Sequence, residues 1–145
     1  MHRVFRSICL AVAVLSTCAL HAEDWPQFRG PNCSGISTTT ATLPVEFSET
    51  EHVLWSDKIG EGVGSPVIAA GRLFVTAMVD KETVGLLAFD AKTGKPIWKH
   101  TWKTGPLAEV HETNSHASTT PAADADHVYV YFPTMGMLAF DAATG

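Results

Sequence analysis

One nine-residue stretch occurs twice in this chain, and that self-similarity restricts the fold more than any other feature. Residues 86–94 read Leu-Leu-Ala-Phe-Asp-Ala-Lys-Thr-Gly and residues 137–145 read Met-Leu-Ala-Phe-Asp-Ala-Ala-Thr-Gly, an offset of 51 with seven identities in nine. A period of this size marks architectures in which each repeat buries its apolar face only by stacking on a neighbour. Upstream, residues 65–76 (Ser-Pro-Val-Ile-Ala-Ala-Gly-Arg-Leu-Phe-Val-Thr) align with residues 120–131 (Thr-Pro-Ala-Ala-Asp-Ala-Asp-His-Val-Tyr-Val-Tyr) at an offset of 55. The four-residue difference falls between Thr76 and Leu86, where the first copy inserts Asp80-Lys81-Glu82-Thr83, expected as a surface hairpin loop.

Within a copy the spacing dictates strands. Val67-Ile68-Ala69 is a short apolar run, Ala70-Gly71-Arg72 punctuates it, and Leu73 to Val79 is apolar and β-branched. Gly85 to Phe89 predicts a third strand, Asp90 to Gly94 a tight turn, and Pro96 to Trp102 a fourth strand. At that turn the Asp carboxylate accepts backbone N–H bonds and the Gly supplies a positive φ. Four antiparallel strands repeated every 40–55 residues or so is the period of propeller blades. The fold class is therefore all-β, a partial β-propeller of four-stranded antiparallel blades: about one and three-quarter blades plus a latch strand.

Here the residues resemble a family. Ala88, Asp90, Gly94 and Trp98 fit the Ala-x-Asp-x-x-x-Gly-x-x-x-Trp tryptophan-docking motif of the PQQ-like (quinoprotein-type) β-propeller repeats, and Ala139, Asp141 and Gly145 begin a second copy. Trp25-Pro26-Gln27-Phe28-Arg29-Gly30-Pro31 and residues 114–121 (Asn-Ser-His-Ala-Ser-Thr-Thr-Pro) also resemble segments of secreted bacterial proteins of this group. The resemblance implies that Trp98 packs on the glycine turn of an adjacent blade. Trp55 sits in its sequence like Trp98 but has no turn motif before it, so residues 53–59 read as a lone fourth strand, the latch. Residues 65–102 read as a blade and 119–145 as the next. The repeat stops four residues short of its second Trp, so the chain reads as an N-terminal fragment; if these residues exist alone, exposed blade edges are expected, with aggregation or oligomerisation as the outcome.

Residues 1–22 read as a signal peptide: Arg3 and Arg6 precede an apolar run from Ile8 to Leu20, too short for a transmembrane span. A membrane anchor is the weaker alternative. Leu15-Ser16-Thr17-Cys18 resembles a lipobox, with Thr17 where that motif wants a smaller residue, so a lipoprotein via Cys18 is a competing reading. Export to the periplasm or the extracellular space follows from either. Residues 23–52 then form an extended N-terminal segment, expected to cap the propeller's side through Trp25, Phe28 and Arg29. Removing residues 1–22 leaves eight Lys and Arg against fifteen Asp and Glu, and Cys33 as the one thiol. A single thiol makes no internal disulfide, and the acidic balance excludes a nucleic-acid partner.

The chemistry-bearing candidates cluster between the blades, where Lys103 to Ser118 is the longest irregular stretch. His111, Glu112, Asn114 and His116 are the candidate ligand-face loop; the plain alternative is a solvated loop with local Asn and Ser turn bonds. A zincin site is excluded because His111 and His116 are five residues apart instead of four and lie in a poor helix former. His52, His100 and His127 read as surface positions, and Gly60-Glu61-Gly62-Val63-Gly64 as a turn without the Lys-Ser/Thr of a phosphate loop. No catalytic residue or cofactor is assignable. The leading function is a binding or scaffold module at the cell envelope, with a protein or carbohydrate partner. The alternative is a quinoprotein alcohol or sugar dehydrogenase, for which the resemblance alone implies PQQ and calcium, with active-site residues mostly beyond Gly145. If Cys18 carries lipid, incorporation of labelled palmitate is lost in Cys18→Ser; unchanged incorporation removes that reading.

Overall fold

Alternation decides how each strand sits. In the computed structural model, which describes residues 23–145, Val128, Val130 and Phe132 of one strand are buried while His127, Tyr129 and Tyr131 between them are exposed. The period of two places the first set on one sheet face and the second on the other. The signal peptide and Cys18 readings lie outside the described residues.

Seven strands form two antiparallel sheets. The first has the order β1 (Val67–Ala69), β2 (Arg72–Asp80), β3 (Thr83–Asp90) and β4 (Pro96–Lys103); the second has β5 (Ala122–Ala123), β6 (His127–Phe132) and β7 (Gly136–Asp141). The protein is all-β, with one 3-10 turn at Pro31–Cys33 and no α-helix among the described residues. The inserted residues 80–83 behave differently from the expected loop. Asp80 pairs with Thr83 across a two-residue turn, so the insertion lengthens the β2–β3 ladder instead of the loop. In the second copy the ladder closes sooner, at Phe132 and Gly136. Hydrogen bonding explains the outcome: Asp80 and Thr83 pair with each other and leave only Lys81 and Glu82 in the turn, whereas a longer loop would leave all four to water.

β3 is buried from Thr83 to Phe89 because both of its faces are covered. On one face Phe74, Val84, Leu86 and Ala88 meet Val128, Val130 and Phe132 of the second sheet, flanked by Trp98, Trp102, Leu138 and Phe140. On the other face Val75, Ala77, Leu87 and Phe89 pack with Leu73 and Ile59. A bulge between Ala88 and Phe89 carries β3 from Trp98 to Pro96 in its pairing with β4. Pro96 opens β4, the sheet's outermost strand, where its missing N–H breaks no ladder.

The two turn copies share one geometry. Asp90 Oδ1 accepts bonds from the amide and hydroxyl of Thr93 at 2.7 and 2.6 Å. Asp141 Oδ1 accepts them from the amide and hydroxyl of Thr144 at 2.8 and 2.9 Å. Gly94 and Gly145 end the turns at φ 70 and φ 78. Against each glycine lies a tryptophan. Trp98 donates its indole N–H to Ala142 O at 3.1 Å, and Trp55 donates to Ala91 O at 3.0 Å. A Cβ on Gly94 would stand 2.5 Å from the Trp55 ring, and one on Gly145 would stand 3.1 Å from the Trp98 ring.

Three sequence expectations change. Residues 53–59 form no strand, because no neighbouring strand lies beside them among the described residues to complete a ladder; Trp55 and Ile59 are nonetheless packed. His100 is not a surface residue. Its ring stacks on Phe140 at 4.8 Å and on Trp102 at 5.9 Å, with Nε2 2.6 Å from Gly145 O, since alternation on β4 places it on the same face as Trp98 and Trp102. Phe28 does not cap a sheet; it is exposed beyond the turn that Gly30 closes on Gln27.

The contacts of Trp98 lead to a first prediction: Trp98→Ala lowers unfolding stability by about 3 kcal/mol in denaturant titration. Gly94→Ala costs about 1–3 kcal/mol, because it combines a positive φ with a clash against Trp55. Acid sensitivity provides a second. Bonds from the Thr93 hydroxyl and then its amide hold the Asp90 carboxyl below its ordinary value of 3.8, and bonds from the Thr144 amide and then its hydroxyl do the same for Asp141. The unfolded carboxyls therefore bind protons first as pH falls. The contribution is complete above that ordinary value and disappears as pH falls through the lower folded values. The melting temperature is expected to drop steadily below about pH 4, and the Asp90→Asn, Asp141→Asn double variant to flatten that drop.

Candidate functional site

Antiparallel order sends the connections to opposite ends of the sheets. One end holds the tight turns at Ala70-Gly71 and Asp90 to Gly94. The other holds the β2–β3 turn at Lys81-Glu82 and the long connection 104–121 between the sheets. The long connection is pinned at its two ends. Thr104 donates both its amide and its hydroxyl to Glu82 O, at 2.8 and 3.0 Å. At the far end the buried Thr76 hydroxyl donates to Thr119 O at 2.8 Å, and the Ser65 amide donates to Thr120 Oγ1 at 3.0 Å.

Between these anchors lies a depression of about 450 Å³, lined by Glu61, Asp80, Lys81, Val110, Asn114 and His116 among others. Its floor is fixed by a backbone exchange between Glu61 and Met78, with Glu61 N 3.0 Å from Met78 O. Asp80 accepts the Glu82 amide at 2.9 Å. That bond, then the Thr83 hydroxyl and the charge of Lys103, holds its carboxyl below the ordinary carboxylate range.

Of the four candidate loop residues, the fold brings two to this depression. His116 Nε2 donates to Ala108 O at 2.9 Å, bracing the loop across its own width. Asn114 Oδ1 accepts the Ser115 amide at 2.8 Å. His111 does not reach it; its Nδ1 accepts the Thr113 amide at 3.3 Å and lies 2.9 Å from the Thr113 hydroxyl. Glu112 is exposed to solvent. Glu61, Asp80 and Lys81 are the residues that sequence reasoning missed. Their signal was topological: a β2–β3 turn and a β4–β5 connection must emerge at the same end of an antiparallel sheet.

No three His, Cys, Asp or Glu side chains among the described residues converge as metal ligands. The site is a mixed polar and apolar surface with backbone fixed at its rim.

The docking-motif residues sit apart from this surface. Ala88 pairs with Trp98 across β3 and β4, Asp90 and Gly94 form the first turn, and Asp141 and Gly145 form the second, with Ala139 exposed on β7. The N-terminal segment takes the opposite edge of the sheets from β4. Trp25 exchanges both backbone bonds with Ile68 of β1, at 2.8 and 2.9 Å, and Pro26 O accepts the Ala123 amide of β5 at 2.8 Å. One short stretch thus covers the first strands of both sheets, where open edges would otherwise remain. No described helix is long and apolar enough to cross a membrane.

A comparison with curated proteins gives no match. Residues 36–145 match the family described as outer membrane protein assembly factor BamB, which covers both sheets and the whole connection between them. With two stacked antiparallel sheets that each carry the same Asp-x-x-x-Gly turn, the chain belongs to this PQQ-like repeat family.

Proposed function

We propose that this chain is part of an exported β-propeller that serves as a binding module at the cell envelope, contacting a protein partner through the face formed by Lys81-Glu82 and the connection 104–121. The observation that carries the reading is the pinned loop itself. Its ends are bonded to the sheets, while Val110, His111 and Glu112 between them are exposed. Connections held in this way present side chains on a fixed base, as binding surfaces require.

The charge on this face points to the partner's chemistry. Glu61, Asp80, Glu82, Glu109 and Glu112 outnumber Lys81 and Lys103, so a basic protein surface is the complementary one. The printed family name, an outer membrane protein assembly factor, supports an envelope role for a protein-contacting propeller. The arginine-flanked apolar start of the sequence supports export.

Photo-crosslinking tests the reading in cells expressing the full chain. A crosslinker at Glu112 or Lys81 is expected to trap an envelope protein, and the yield to fall as ionic strength rises. The same crosslinker at Lys92, on the opposite turn, is expected to trap none. Equal yields from the two ends, or none from either, would overturn the proposal.

A further inference from the structure

Half of the basic side chains are gathered on one strand and the turn before it. Four of the eight Lys and Arg in residues 23–145, Lys92, Lys95, Lys99 and Lys103, fall within twelve residues, and no Asp or Glu occurs from residue 91 to residue 108. All four lysines are exposed, and none forms an ion pair among the described residues. Alternation on β4 turns Trp98, His100 and Trp102 toward the core, so Ile97, Lys99, Thr101 and Lys103 share the other face, where each is exposed. Lys92 and Lys95 extend the row through the turn that leads into the strand. Lys95, Lys99 and Lys103 are four residues apart, about 13 Å along an extended chain.

β4 is also the outermost strand of its sheet, so its outer row of N–H and C=O groups has no strand beside it among the described residues. Lysines on such an edge deter unintended strand pairing, a role that needs no particular interval. Evenly spaced ammonium groups, the Thr101 hydroxyl between two of them and a row of free backbone donors and acceptors together match a chain that carries carboxylates and hydroxyls in turn. Acidic residues flank the row. Asp57, next to Lys58, borders a hollow shared with Lys99, and Asp80 and Glu82 border another shared with Lys103. Asp90, on the same turn as Lys92, holds the Thr93 amide and hydroxyl through Oδ1. A broad anionic surface laid on the strand would meet these carboxylates, whereas a single extended chain passes between them.

We propose that the outer side of β4 binds an acidic polysaccharide of the cell envelope, a linear chain bearing uronate carboxylates. Lys92, Lys95 and Lys99 take the carboxylates, and the Thr101 hydroxyl and the free backbone groups of the strand take sugar hydroxyls. Lys103, offset by Asp80 and Glu82, ends the site. This surface is opposite in sign to the face at Lys81-Glu82 and the connection 104–121, so it serves a different ligand from the protein partner proposed there. Eight Lys and Arg against fifteen Asp and Glu in residues 23–145 repel a polyanion from the rest of the chain. Binding is therefore confined to the lysine row, and it weakens as salt screens it.

Calorimetric titration of the full chain with an oligogalacturonate at low ionic strength tests this. Binding is expected, with the Lys92→Gln, Lys95→Gln, Lys99→Gln triple variant weaker by about tenfold and unchanged in its far-ultraviolet β spectrum. Arg72→Gln, which removes a charge from β2 two strands away, is expected to bind as the wild type does. A second measurement is independent of how any variant folds: the wild type is titrated with the same oligomer as its neutral methyl ester, and no binding is expected. Absence of binding to the acidic oligomer, equal binding of the ester, or equal losses in Arg72→Gln and the triple variant would each overturn the proposal. So would tighter binding to phosphatidylglycerol vesicles than to the oligomer at equal charge concentration, which would make the ligand a lipid surface. Aggregation of the triple variant without any oligomer binding by the wild type would reduce the lysines to guards of the strand edge and overturn it as well.

Discussion

The architecture depends on a tryptophan set against a glycine that has no side chain to obstruct it. A large indole gains its stabilisation by covering apolar area, but its N–H must find an acceptor if it is to be buried without cost. Here the acceptor is a turn carbonyl, Ala142 O for Trp98 and Ala91 O for Trp55. The glycine that ends the same turn lets the ring approach, because any Cβ there would meet it. Phenylalanine would leave the carbonyl unpaired, and alanine for glycine would push the ring away. The motif's residues are thus separated in sequence but act at one place, the junction between consecutive sheets. Asp90 and Asp141 belong to the same device from below, since their carboxylates hold the turn that presents the carbonyl.

Much of this was legible in the sequence because repetition supplied its own control. A single apolar run such as Val67-Ile68-Ala69 is ambiguous between strand and buried helix. Two aligned copies with the same Asp-x-x-x-Gly turn remove the ambiguity, and the four strands of the first sheet lie within a few residues of the runs read from the sequence. What sequence reading lost depended on partners it could not see. His100 looks like a surface residue in isolation, and only the position of Phe140 on a different sheet makes it part of an aromatic stack. Residues 53–59 have strand-like composition but form no strand, since a ladder is a property of two segments and not of one. Of the candidate loop, Asn114 and His116 reach the depression and His111 and Glu112 do not, a distinction set by local turn bonds finer than any spacing rule.

The proposed placement of function follows from the division of labour between the ends of the sheets. The tight-turn end carries the docking carbonyls and tolerates little change, because Gly94 and Gly145 are fixed by both backbone angle and close packing. The opposite end holds the β2–β3 turn and the connection 104–121, whose exposed residues make few demands on the core. Variation is inexpensive there and binding surfaces accumulate there for that reason. Trp25 and Pro26 seal the inner edge by pairing with Ile68 and Ala123, so the edge most open to unintended strand pairing is already occupied by the chain itself.

The four-residue insertion shows why the two sheets can differ and still stack. Side chains alternate along a strand, so a shift of one residue would exchange the faces of everything beyond it. Asp80 to Thr83 add residues to both arms of one hairpin, and the Thr76–Leu86 pair of the first sheet keeps the same facing as the Tyr131–Met137 pair of the second. An insertion at the turn extends the hairpin toward the loop end and leaves the junction face unchanged. The first sheet can therefore project Asp80 and Lys81 into the candidate site while Phe74 and Leu86 still meet the second sheet.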